Sequence, residues 1–171
     1  MMIKKILILI FFYFFIFLTK SFSCDFNELN IDKDINNLKI DEIFLTNQNI
    51  DKDYGKYFFP IEAFCENKYQ GVIINIDTLK DKIFKINFIN QAGTEKKVLD
   101  LSLREYSVDF KFKRNNSEKK VITSEFKSKD KYYYYTHLFD EYNNLIEIFE
   151  IVDPEKNSSF RELEIKEEEQ Q

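Results

Sequence analysis

Side chains alternate along much of this chain with a period of two. Val72, Ile74 and Ile76 alternate with Ile73, Asn75 and Asp77, and Phe84, Ile86 and Phe88 alternate with Lys85 and Asn87. Leu99, Leu101 and Leu103 alternate with Asp100 and Ser102, and Tyr106, Val108, Phe110 and Phe112 with Ser107, Asp109, Lys111 and Lys113. A strand points successive side chains to opposite faces, so this pattern builds half-buried strands. Strands are expected near 40–46, 57–65, 70–77, 83–90, 96–103, 106–113, 119–127, 131–139 and 145–152. Polar breaks at 90–94, 114–118 and 140–144 read as three hairpins, because short loops rich in Asn, Asp and Gly join antiparallel neighbours. The expected fold is mainly β: an antiparallel meander forming a β-sandwich or incomplete barrel. An N-terminal signal helix and a short acidic C-terminal helix or tail flank it.

Residues 1–23 read as a secretory signal. Lys4 and Lys5 precede an unbroken apolar run at 6–18, and the small residues Ser21 and Ser23 place a cut before Cys24. The run is shorter than the ~20 apolar residues of a spanning helix. Without this leader, which carries three lysines and no acid, the net charge moves from −5 to −8. Residues 24–38 then read as a tether or short helix, 39–152 as an all-β domain, and 153–171 as an acidic tail. Asp153-Pro154 suits a helix start, since Pro is tolerated at the first helical position. Ser159 and Glu162 have the spacing of a capping box.

Cys24, directly after the expected cut, resembles the lipidated cysteine of bacterial lipoproteins, whose signals end in a four-residue lipobox. Ser23 fits the last position before that cysteine, whereas Ser21 stands where the family favours an apolar residue. The resemblance covers the first 24 residues and implies membrane association through a Cys24 lipid. Two other readings stand beside it. Cys24 can form a disulfide with Cys65, closing a loop of about 40 residues worth roughly 4 kcal/mol. Alternatively it is a free thiol.

Little in the sequence carries catalytic chemistry. The chain has one His, two Cys and three Gly, which excludes a multi-Cys/His zinc module and a glycine-rich phosphate loop. His137 lies in a predicted strand with no nucleophile motif beside it, so it reads as a structural strand residue. Asn49, Asp51, Asp53 and Gly55 have some of the spacing of a calcium loop, but Pro60 stands where the bidentate Glu belongs. No catalytic residue, metal or cofactor is therefore assigned.

Residues 111–131 hold eight bases against three acids inside an acidic protein. Lys111, Lys113, Lys119 and Lys120 are candidates for docking on an anionic surface. The plainer reading is edge protection, because lysines on exposed strands discourage edge pairing. The excess of Lys, Asn, Ile and Phe over Gly, Ala, Arg and Pro fits an AT-rich genome, so single lysines carry little weight. Nucleic acid is a poor partner for an exported chain of net −8. The Tyr132–Tyr135 tract puts two rings on each strand face, one pair for the core and one for the surface. The expected function is that of an exported, non-enzymatic extracytoplasmic β-domain, a binding or envelope-associated module with a protein or envelope partner. The alternative is a carrier holding an apolar ligand such as an acyl chain in a β-meander cavity.

Overall fold

The computed structural model describes residues 26–38, 40, 46–49, 53–64, 69–93, 95–110 and 121–159. Seven strands form one open antiparallel sheet: β1 (Thr46–Asn49), β2 (Tyr54–Pro60), β3 (Val72–Leu79), β4 (Lys82–Gly93), β5 (Val121–Lys127), β6 (Tyr132–Phe139) and β7 (Leu145–Val152). Their spatial order is β1-β2-β3-β4-β7-β6-β5. Two meanders, β1–β4 and β5–β7, are thus joined side by side along the β4–β7 seam. β1 and β5 stand at opposite edges of the sheet, and no pairing between them closes a barrel among the described residues.

The alternation identified in the sequence sets the register. Val72, Ile74 and Ile76 of β3, Ile86 and Phe88 of β4, and Phe149 and Ile151 of β7 are fully buried on one face. Across the seam Phe88 lies opposite Phe149 and Ile86 opposite Ile151, and the two phenyl rings stack with centroids 5.8 Å apart. This inner face is covered by helix α1 (Lys97–Tyr106), by Val108 and Phe110 beyond it and by residues 26–38. The segment 26–38 contains a 3-10 turn at Ile35–Asn37, buries Leu29 completely, and sets the Phe26 ring 6.0 Å from Phe88. Burial of each such ring or aliphatic side chain contributes about 2–3 kcal/mol, which is what holds these irregular segments to the sheet.

Two expectations change here. Of residues 96–103, expected as a strand, all but Lys96 belong to α1, so the break at 90–94 is no hairpin: β4 runs on to Gly93 and the chain turns into the helix. The period-two leucines concealed a helical set, in which Val98, Leu101 and Ser102 face the sheet while Leu103 is half exposed. Tyr106, expected to begin a strand, instead ends the helix. Ser107 takes a left-handed conformation, and the Val108 N–H donates to the Ser102 carbonyl at 3.0 Å, closing the last turn. Val108 and Phe110 beyond it are buried, so the inward alternation survives over those two residues.

The turn at 140–144 is a hairpin joining β6 to β7, and Asp140 accepts from the Asn144 N–H at 2.7 Å. Asn49 pairs with Gly55 in the antiparallel β1–β2 ladder, so two positions of the calcium-like spacing are strand residues, and Asp51 between them lies outside the described residues. Residues 154–159 are helical, with Pro154 first and Asp153 Oδ1 accepting from the Glu155 and Lys156 N–H groups at 3.0 and 3.1 Å. Ser159 lies inside that helical stretch, its hydroxyl bonded to the Glu155 carbonyl, and is not a cap. The leader 1–23, the break at 114–118 and the tail beyond residue 159 lie outside the described residues. No helix among the described residues is long and apolar enough to cross a membrane.

Candidate functional site

Two polar features stand out against this scaffold, one on each sheet face. The first surrounds Glu147. In β7 it shares a face with Phe149 and Ile151 and is completely buried. Its carboxylate accepts from the Tyr135 hydroxyl at 2.7 Å and from Asn90 Nδ2 at 3.2 Å. It also accepts from the backbone N–H groups of Val98 and Leu99, each at 3.3 Å, at the start of α1. Lys96 precedes the helix and supplies no side-chain cap. Glu147 therefore caps α1 from the neighbouring sheet, satisfying helix N–H groups and meeting the positive end of the helix dipole.

The surroundings of this carboxylate fit that role. Burial, followed by the bond to Glu147, pushes the Tyr135 hydroxyl well above the ordinary tyrosine range, so it stays a neutral donor. His137 lies directly opposite Glu147 across β6–β7. Burial, then the Lys96 charge, lowers its pKa from the usual histidine value, and Glu147 opposes this. With four donors on one fully buried carboxylate, Glu147 has no face open to a substrate. The cluster is built to hold the helix on the sheet.

The second feature is a groove of about 610 Å³ on the outer face of β5–β7. Tyr132, Tyr134 and Thr136 of β6 lie along its floor, with Thr123 of β5 on one side. Ile148, Glu150 and Val152 of β7 lie on the other, and Pro154, Asn157 and Ser158 of the C-terminal helical stretch form a wall. Strand alternation accounts for the floor: Tyr133 and Tyr135 turn inward to Phe149, while Tyr132 and Tyr134 turn out, as the tract's period implied. The two outer rings meet at 73° with centroids 6.4 Å apart.

The charges at the groove are internally offset. Glu150 pairs with Lys85 at 3.1 Å, both side chains about four-fifths buried. Lys127 sits 4.8 Å over the Tyr132 ring and pairs with Glu125 at 3.1 Å. The Thr123 and Thr136 hydroxyls bond each other at 3.0 Å. A polar row continues across the same face, in which Glu150 is directly opposed to Asn87 of β4, and Asn87 to Asn75 of β3. Asn87 is 9% exposed, and the Oδ1 atoms of Asn87 and Asn75 are buried with no hydrogen-bond partner among the described residues.

Of the residues singled out from sequence, Cys24, Cys65, Lys111, Lys113, Lys119 and Lys120 all lie outside the described residues. Lys127 and Lys131 of the same basic segment are engaged within the chain, Lys131 donating to Asn30 Oδ1 at 2.7 Å. No group of acids, His or Cys suited to a metal occurs among the described residues. Neither Glu147 nor Glu150 was legible as special among thirty acids. The available signal was positional, since Glu147 falls in step with Phe149 and Ile151 on the apolar face. No family model matches the chain, and no curated protein and no solved structure matches it either.

Proposed function

We propose that this chain is an exported, non-enzymatic binding module whose ligand seat is the groove on the outer face of β5–β7. The observation that carries the reading is the groove itself. Its volume lies in the ~300–1,000 Å³ range of small-molecule sites, and it combines aromatic, aliphatic and hydrogen-bonding side chains on a rigid sheet. The saturation of Glu147 supports a non-catalytic role, because the most deeply buried carboxylate is committed to the fold. Packing on the inner face favours the module over the carrier. Where an acyl chain would lie against the meander, α1 and residues 26–38 already fill the space.

A fragment screen followed by amide NMR tests the seat. Fragments are expected to shift resonances of β6, β7 and residues 154–158, and Ser158→Trp, which fills the groove from its exposed wall, is expected to abolish those shifts. Fragments collecting instead between the sheet and α1 would replace the module with the carrier. Export is tested separately by mass spectrometry of the mature protein. The chain is expected to begin at Cys24, with added acyl mass if that cysteine is lipidated and a loss of two hydrogen atoms if it is oxidised to a disulfide with Cys65. A product that keeps Met1 overturns export.

A further inference from the structure

We propose that the groove on the outer face of β5–β7 takes a neutral saccharide; this rests on the groove being the ligand seat. Charge narrows the class first. Glu150 is the one ionisable carboxylate lining the groove among the described residues, and Lys85 offsets it at 3.1 Å. Among the described residues no cation lines the groove to receive a phosphate or carboxylate, and the Lys127 ammonium beside it is paired with Glu125. Of the described charges lining the groove, an anionic ligand would meet the residual repulsion of Glu150.

Shape and polarity narrow it further. Tyr132 and Tyr134 present rings at 73° to each other, forming a corner of two π-faces. The electron-rich ring face attracts the slightly positive C–H hydrogens that line one side of a pyranose. Around this corner stand the Thr123 and Thr136 hydroxyls, which bond each other, the Ser158 hydroxyl, which donates to the Glu155 carbonyl, and the Asn157 carboxamide. Each hydroxyl oxygen keeps lone pairs that accept, and the carboxamide both donates and accepts, so an acyl chain would desolvate these groups without offering them a partner. A sugar satisfies both halves of the surface, with C–H groups on the rings and hydroxyls on the polar rim.

The test titrates the full-length protein with neutral hexasaccharides of glucose, mannose, galactose and N-acetylglucosamine, with a hexapeptide and dodecanoate as comparison probes. Amide shifts are followed in the wild type and in Tyr134→Ala, with Tyr134→Phe retaining the ring. At least one sugar is expected to shift groove resonances, with affinity falling about tenfold or more in Tyr134→Ala and little in Tyr134→Phe. Shifts of the Glu147 cluster, unchanged in both variants, show that the sheet is intact. If the peptide or dodecanoate moves the groove resonances and no sugar does, the saccharide assignment falls and the seat stands. If no probe moves them, both fall. Sugar binding that Tyr134→Ala leaves unchanged also overturns the assignment.

Discussion

Glu147 shows how one side chain can decide where a helix sits. A carboxylate with no solvent exposure is costly unless its lone pairs are filled, and here four donors from β4, β6 and α1 fill them. Glu147→Ala leaves the Tyr135 hydroxyl and two helix N–H groups without that acceptor, and is expected to cost about 3 kcal/mol or more in urea unfolding. Tyr135→Phe, which removes one donor, is expected to cost about 1–2 kcal/mol. A Glu147→Ala loss within ~0.5 kcal/mol, the range of ordinary surface changes, would show that the cap is ornamental. His137, opposite this residue, adds a pH dependence. Its folded-state pKa lies below the ordinary 6.5 because of burial, with Lys96 assisting and Glu147 opposing. The unfolded chain therefore takes up the proton more readily. Stability from this site is full above the ordinary value and is lost as pH falls through it toward the folded one. Melts at pH 7 and pH 5 are expected to differ less in His137→Asn than in the wild type; an unchanged difference would assign the effect to other groups.

At the scale of elements, most of the sheet was readable and the helix was not. The expected strands at 70–77, 83–90, 131–139 and 145–152 coincide closely with β3, β4, β6 and β7, because a strand with one wet face writes its period directly into the sequence. Helix α1 went unread because Leu99, Leu101 and Leu103 also satisfy a period of two. Its cap is supplied by Glu147, nearly fifty residues further along, so no local start signal exists. The groove was half legible: the tyrosine tract announced an outward pair of rings, but the wall at 154–158 depends on how the chain leaves β7. Two local geometries can be improved without touching these faces. Ser107 holds φ 56° at the end of α1, and Lys80 and Asp81 hold φ 50° and 62° in the two-residue β3–β4 turn. Left-handed positions cost non-glycine residues about 1–2 kcal/mol, partly offset by glycine's greater freedom in the unfolded chain. Ser107→Gly is expected to stabilise by about 0.5–1 kcal/mol, and Lys80→Asn with Asp81→Gly by a similar amount, read as higher urea midpoints. Lower midpoints would mean that the native side chains make contacts worth more than the strain.

The whole molecule depends on one long-range junction. β1–β4 and β5–β7 are each built from hairpins between sequence neighbours, but β4 and β7 meet across more than fifty intervening residues, and α1 lies over both. Chain entropy opposes that pairing, and the buried rows Ile86–Ile151 and Phe88–Phe149 offset it. The edges contribute far less: β5 has six of its seven side chains exposed, with Val121 at 52%. Stability should therefore be graded from the seam outward. Phe149 also packs against Tyr106, Phe110 and Tyr133, tying the seam to the layer above it. Phe149→Ala is expected to cost about 3–5 kcal/mol, and Val121→Ala to stay within ~0.5 kcal/mol. Amide exchange should run in the same order, slowest in β4 and β7 and fastest in β1 and β5, with Phe149→Ala accelerating both meanders together because neither has a second face to bury once the seam opens. Independent acceleration of β5–β7 alone would show instead that the two meanders are separate folding units.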